Sequence, residues 1–571
     1  MNWEHHEAEV LIIGAGAAGL RTAIELAQRG VEPLVVGKRA HGDAHTVMAA
    51  GGINAALGTR DEEDHWTLHA ADTLREGHFV NQPQALELLT RLAPERVLEL
   101  AAWGCPFERT EDGELEQRFF GAHTFRRTCF VGDETGKAIL ETLVKRADEL
   151  DVPRQEYLMI TEIVVGGGQA LGAVGWEGST GRPVAVSASA VVVAAGGCTG
   201  LYRRNSSRAG ENTGDAMGLA WRAGAEMRDM EFVQFHPTGM VAPEQMAGEL
   251  VTEAVRGEGG RLYNAEGERF MRDYAPEEME LAPRDVVARA IARELDEGRG
   301  TDKGGVYLDI SHCDEEYIAH RLPDMYARFG RLGVDIAEEP MEVAPTAHYA
   351  MGGVKVDFAT GATSVEGLYA VGEATGGLHG ANRLGGNSLS ETLVFGQLTG
   401  AHLAQWVAGR QTPVMQDEDI RRRLERWGRY SRQHGQHSPG RLVQRLQTLL
   451  ELRAGIVRHG EGLELGLEEL AELRRDADDL RVHTTPGSKY FQQVCNLEFM
   501  LDTAEMILWS AKRRRESRGA HFREDHRDSE TNWRKSIVCR RREEGGLELI
   551  TQDVGEPSEE VRRAIERGNG R

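Results

Sequence analysis

At 571 residues the chain is too long for one hydrophobic core, and roughly three to four units of ordinary domain size are expected. A formal charge of −24 argues against nucleic acid as a partner, because phosphate binding needs clustered Lys and Arg. Six cysteines, at 105, 129, 198, 313, 495 and 539, include no CxxC pair, so they offer no metal ligand set and no disulfide framework, and a reducing cytoplasm is the expected home.

Met1–Glu7 has neither a basic nor an apolar leader region, and the apolar stretch Val184–Gly197 is too short to span a bilayer, so membrane contact is expected only through a partner. The first predicted strand, Glu9–Ile13, runs into Gly14-Ala15-Gly16-Ala17-Ala18-Gly19 and a helix over Leu20–Arg29. Gly14 permits a tight turn, Gly16 with Ala17 lets backbone approach a pyrophosphate at the helix N-terminus, and Gly19 lets helix pack on strand. This context predicts an ADP-containing cofactor without choosing between NAD and FAD. The acidic ribose ligand usual at the end of the second strand is missing, since Pro33–Val36 ends in Gly37-Lys38. Either Lys38 and backbone groups take that contact or the ribose is held elsewhere. His45-Thr46, followed by Gly51-Gly52, places a histidine where it can reach and bond covalently to a flavin ring.

Helices are predicted within Asp64–Leu100 from three-and-four apolar spacing. A buried strand over Val184–Ala195 ends in Gly196-Gly197, Asn212–Asp215 precedes a helix over Ala216–Gly224, and Gly367–Glu373 forms a second buried strand ending in a carboxylate. Strands ending in ligand-facing glycines are what a doubly wound sheet presents at its switch point. Between these segments Phe235–His348 reads as an insertion placed to close over the site as a lid. From Asp417 the pattern is helical, over Ile420–Arg432, Arg441–Arg458, Leu463–Asp479 and Phe491–Arg515, and a hairpin is expected around Glu543–Gly546. The basic run Lys512–Arg515 reads as a solvated helix end or a partner contact.

The segments His45–Gly58, Gln234–Gly239, Val251–Gly260, Arg284–Arg289, His348–Gly353, Gly372-Glu373, His379–Leu389 and Glu516–Asp525 resemble the flavoprotein subunit of succinate dehydrogenase and fumarate reductase. The likeness runs from Val10 to about Arg542. It implies an α/β protein: an FAD-binding, doubly wound (Rossmann-like) domain in two segments, 1–234 and 349–415, an inserted α+β capping domain, 235–348, a C-terminal helical domain, 416–535, and a tail, 536–571. The resemblance makes His45 the covalent bearer of FAD, with Thr46, Gly51 and Gly52 around it, Glu373 and Asp215 as polar contacts of the cofactor, and Ser388-Leu389 as the helix start beneath the flavin. It implies a dicarboxylate clamp of His236, Thr252, His348 and Arg383, with Phe120 and Gly121 beside the substrate. An Arg fork matches a carboxylate with two parallel bonds, so Arg383 is the expected anchor. Arg284 matches the residue that moves a proton at the substrate carbon, with Glu253 and Arg256 as its relay. A guanidinium is a poor base, so a proton must enter it as another leaves.

The implied reaction is interconversion of succinate and fumarate. The implied partners are membrane anchor subunits, reached through a complex, and an iron–sulfur subunit; such a complex would place the chain peripherally at the cytoplasmic face of the cell membrane. L-Aspartate oxidase is the competing enzyme. That family generally lacks the flavin-linking histidine and carries a glutamate suited to an amino group where this chain reads Arg118-Phe119-Phe120-Gly121. A flavin-bearing assembly protein without catalysis is the alternative of another class. Ala122 departs from the family's second glycine after the phenylalanine.

Overall fold

The computed structural model describes residues 2–542 and 545–568. Its largest sheet orders the strands Arg154–Gln155, Pro33–Val36, Glu4–Ile13, Pro183–Val193, Gln169–Glu177 and Leu158–Gly166, with Leu368–Ala370 paired to Pro183–Val193 off this path. Arg154–Gln155, Pro33–Val36, Glu4–Ile13, Pro183–Val193 and Leu368–Ala370 run parallel. Val10, Leu11, Ile12 and Val191–Val193 are fully buried, which is why these segments read as unbroken apolar runs: helices cover both faces of a parallel sheet. Pro183–Val193 divides its edge, pairing through Val184–Ser187 with the antiparallel Gln169–Glu177 and through Val191–Val193 with Leu368–Ala370. The antiparallel hairpin Leu158–Glu177 is an addition to the expected sheet. Its turn is Gly167-Gly168, both left-handed at φ +61° and +85°, the two-residue connection that suits the twist of paired strands.

The glycine-loop helix Ala17–Gln28 lies against Asn387–Trp406. Gly396 and Gly400 allow this, since a Cβ would stand 3.0 Å from Ala18 O and 2.8 Å from Thr22 O.

The inserted unit is a four-stranded sheet in the order Val233–Met240, Met341–Ala350, Val306–Asp309, Arg261–Tyr263, with its own core that includes Met240, Leu262, Ile291, Leu308 and Val343. The entering and leaving strands, Val233–Met240 and Met341–Ala350, pair with each other, so positions 235 and 348 lie inside strands. The chain therefore enters and leaves the insertion through paired strands.

The four C-terminal helices are Asp417–Gly428, Pro439–Arg453, Gly460–Asp478 and Lys489–Arg513. They share one buried cluster with the sheet, in which Leu446, Leu470 and Phe499 join Val184 and Val186. The tail strands Lys535–Arg541 and Leu547–Asp553 form the expected hairpin, although Glu543 and Glu544 of its turn lie outside the described residues. A final helix, Glu559–Gly568, seats Val561 against Ala70 and Leu74. The basic run at 512–515 is not a uniformly solvated end. Arg514 is fully buried, its Nε donating to Glu231 at 2.7 Å and its Nη1 to Glu516 at 3.0 Å. Among the described residues no helix is long and apolar enough to cross a membrane.

Candidate active site

The C-terminal ends of the parallel strands, at Ile13, Val36 and Val193, and Val371 just past Leu368–Ala370, gather around one cleft lined by Gly14, Gly37, Ala194–Gly196 and Glu373. The same cleft, open at its mouth, runs from the glycine loop at Gly14–Ala18 past His45 to Arg383, His236 and His348.

At the dinucleotide end Gly14 is left-handed at φ +121°, with a notional Cβ only 2.2 Å from Ala194 O, and a Cβ on Gly19 would stand 2.0 Å from Gly14 O. Both positions therefore demand glycine. Gly16 differs, since its Cβ would meet nothing nearer than Thr46 Oγ1 at 3.4 Å, leaving open space at the helix start where a pyrophosphate fits. Thr46 Oγ1 accepts from Ala17 N–H at 3.2 Å, tying the histidine turn to the glycine loop. Lys38 Nζ is held at 2.7 Å by Asp215, whose other oxygen accepts from Thr213. Glu373 faces the cleft with one hydrogen bond, from Ala350 N–H at 3.1 Å. Burial raises its carboxyl to about 7. A half-buried carboxyl so sparsely bonded among the described residues suits the hydroxyls of a flavin's sugar chain.

His45 opens a short 3₁₀ turn, His45–Met48, and lines the middle of the cleft. Its Nδ1 lies 3.4 Å from Glu211 Oε2. Gly51 and Gly52 pack tightly, a Cβ on the first meeting Phe120 at 2.8 Å and on the second Cys129 O at 2.6 Å. Ser388 and Leu389, in the first turn of Asn387–Trp406, line the same wall.

The far end collects cations and neutral imidazoles. Arg383 is buried and lines the cleft, yet among the described residues no carboxylate pairs with it. Its Nε has no partner and its Nη1 makes only long contacts, to Leu384 O at 3.5 Å and Ser388 Oγ at 3.4 Å. The guanidinium stands over the Tyr349 ring at 4.6 Å. Burial, with Arg284 nearby, lowers its pKa to about 10, so it stays charged at neutral pH. His236 and His348 meet edge to face at 5.4 Å. Burial and the neighbouring arginines hold both well below the usual histidine range, so both are neutral. Thr238 N–H donates to His236 Nδ1 at 3.2 Å, which leaves the other ring nitrogen as an unpaired buried donor. Ser206 Oγ engages His348 Nδ1 at 2.9 Å. Thr252 caps the helix Glu253–Gly257, accepting from Ala254 N–H at 3.3 Å, and its hydroxyl proton is free to donate into the cleft.

Arg284 begins the helix Arg284–Asp296. Its Nε and Nη2 both reach Glu253 Oε2, at 2.9 and 2.6 Å, and its Nη1 donates to Gln234 at 3.2 Å. Burial alone would raise the Glu253 carboxyl, but Arg284 and Arg256 bring it down to about 2. Arg256 sits on the far side, 3.9 Å from Glu253. It is fully buried and does not line the cleft. Asp285 and Glu258, the carboxylates next to these arginines in sequence, are occupied by Arg289 and Arg321.

Gly121 also lies behind the wall; a Cβ there would stand 2.8 Å from Glu253, so its small size preserves the packing of that carboxylate. Ala122 takes a left-handed φ of +63°, a strained position for an L-residue. Ala122→Gly is expected to stabilise the fold by about 0.5–1 kcal/mol, read as a raised denaturation midpoint.

Several residues in and behind the cleft stand outside the expected site set. Gln234 links Arg284 to Asn382 and to Arg383 O. Glu211 and Ser206 come from the loop before Asp215. A buried carboxyl, Glu76, accepts from Asn382 and is pushed by burial up to about 8. Glu211, Ser206 and Glu76 match no spacing rule, and only the fold brings them to the site.

Residues 9–389 match the family model described as FAD binding domain, which makes the cleft that of an FAD-dependent oxidoreductase. Residues 443–562 match a second model, fumarate reductase flavoprotein C-term. The chain is 43% identical to a subunit of the fumarate reductase (CoM/CoB) of Methanothermobacter marburgensis, covering 95% of this chain and 99% of the relative. It is 36% identical to the succinate dehydrogenase flavoprotein subunit of Rickettsia bellii, covering 96% of each. Its fold superposes on Mycobacterium smegmatis Sdh1, solved in complex with UQ1, with a TM-score of 0.89 at 40% identity, covering 98% and 96% of the two chains. The chain belongs to the family of succinate dehydrogenase and fumarate reductase flavoprotein subunits.

Proposed function

We propose that this chain interconverts succinate and fumarate on FAD bound covalently through His45. The observation that carries the reading is Arg383: a buried, charged guanidinium facing the cleft with no carboxylate partner among the described residues. Such a group is costly unless an anion completes it. Arg383 binds one carboxylate of the diacid, while the free donors of His236 and Thr252 bind the other. Two neutral histidines beside the arginine add hydrogen-bond donors without extra charge, and fixing both ends aligns the central carbons. Bound flavin supplies the two-electron acceptor. Arg284 holds or delivers the proton at the substrate carbon, and Glu253, ionised between Arg284 and Arg256, passes it onward. The short Arg284–Glu253 bonds let a proton enter the guanidinium as one departs.

Phe120 supports a diacid over an amino acid. Its ring packs between Gly51 and Gly385 at the cleft wall and offers an ammonium no acceptor, which disfavours L-aspartate as substrate. One relative is named for fumarate reduction and another for succinate oxidation, so the reaction is written in both directions. Both carry the name of a subunit, which supports electron exit through a separate iron–sulfur polypeptide. Membrane anchor subunits would hold that complex at the cytoplasmic face, with quinone as the onward acceptor.

Malonate titrated into the flavin-loaded protein is expected to perturb the flavin absorbance, and Arg383→Met should weaken it by about 2–5 kcal/mol, at least thirtyfold. Unchanged malonate affinity in that variant would remove Arg383 from the clamp.

A further inference from the structure

The loop Asn205–Asn212 brings to the cleft a charged cluster that the proposed reaction does not use. Glu211 is 6% exposed and lines the cleft beside His45. Its Oε1 accepts from Arg208 Nη2 at 2.6 Å, and its Oε2 from Arg208 Nε at 2.9 Å. Arg39 Nε lies 3.5 Å from Oε1, and Asp43 bonds both arginines. A carboxylate clamped by two arginines is fixed in place. Burial works against its charge, but the bonds from His45 and Arg208 bring its pKa down to about 2, so it is an anion at any working pH. The remaining contact of Oε2 is His45 Nδ1 at 3.4 Å.

A carboxylate only accepts, so the nitrogen facing it must carry the proton. Neutral His45 is thereby fixed as the Nδ1–H tautomer, and the lone pair is on Nε2, which makes no hydrogen bond among the described residues. An anion holding one ring nitrogen of a histidine sets the tautomer and stabilises the cation that forms when the other nitrogen reacts. We propose that Glu211 is the positioning residue for covalent flavin attachment, presenting His45 Nε2 as the nucleophile and stabilising the imidazolium formed as the bond is made. This rests on the reading of His45 as the flavin-bearing residue.

The step forms one bond between Nε2 and the methyl carbon on the dimethylbenzene side of the flavin and breaks one C–H bond of that methyl. The electron pair and the proton of the broken bond would end on the flavin ring system, which would leave the flavin reduced by two electrons and His45 as the imidazolium. Fumarate, the acceptor of the proposed reaction, then reoxidises the flavin to yield succinate. The Nδ1 proton is shared with Glu211 throughout.

The test uses the full chain produced under riboflavin limitation, then given FAD and fumarate. Total bound flavin is followed by visible absorbance of the native protein, and attached flavin by fluorescence of the denatured band and by intact mass. Glu211→Ala is expected to bind FAD like the unmodified chain and to attach it at least about tenfold more slowly, within the range of positioned acid–base groups. Glu211→Gln, which keeps an acceptor without the charge, should fall between. A Glu211→Ala rate within threefold of the unmodified chain would overturn the inference, as would parallel loss of bound and attached flavin, which would assign Glu211 to binding. Absence of attached flavin in the unmodified chain is a separate outcome: it would overturn the His45 reading itself.

Discussion

Replacing Arg284 by Gln is expected to lower turnover of both succinate and fumarate by about 10²- to 10⁴-fold, the range for removing a positioned acid–base group, with flavin content unchanged. The expectation follows from how Arg284 is held. Two of its nitrogens converge on one oxygen of Glu253 and the third meets Gln234, so the guanidinium presents a fixed edge to the cleft. Gln keeps hydrogen-bonding capacity but removes the charge that holds the Glu253 carboxyl near 2, and it cannot transfer a proton. Both kcat and kcat/KM should fall together, since the lost interaction belongs to the transition state. A raised KM with near-normal kcat would instead make Arg284 a binding residue.

His45→Ser should separate binding of the flavin from its attachment. Gly14, Gly16 and Gly19 still shape the dinucleotide end, and Glu373 still faces the cleft, so the variant should hold FAD that is released on denaturation. Succinate oxidation should fall more than fumarate reduction, because an unlinked ring has a lower potential. For a two-electron couple each ~30 mV costs about tenfold in equilibrium constant. Flavin that stays on the denatured His45→Ser chain would show that another residue carries the link.

Much of this architecture is written in local patterns. Gly14 and Gly19 mark their turn because a Cβ would collide with backbone, and Val191–Val193 and Leu368–Ala370 read as core strands because both faces are covered. The Leu158–Glu177 hairpin has its signal in Gly167-Gly168, but a glycine pair also punctuates loops, and alternation is lost where both strand faces are buried. Arg514 looks like surface charge because nothing near it in sequence announces Glu231 as its partner across the fold. The resembling segments lead to Arg383, His236 and His348, whereas Glu211 stands in none of them and reaches the cleft only through tertiary placement. Ala122 is the local rule broken: an exposed left-handed alanine next to Gly121, whose missing side chain leaves room for Glu253.

Whether the cleft is built for a diacid is decided by dye-coupled turnover of the flavin-loaded protein with succinate and with L-aspartate, compared side by side. Aspartate differs by one ammonium, which would be buried against Phe120, with the nearby Glu253 carboxylate already bound by Arg284. The expected result is at least about 2–3 kcal/mol of discrimination, roughly a hundredfold in kcat/KM in favour of succinate. Equal turnover of the two acids would contradict the clamp reading and assign the site to amino-acid oxidation.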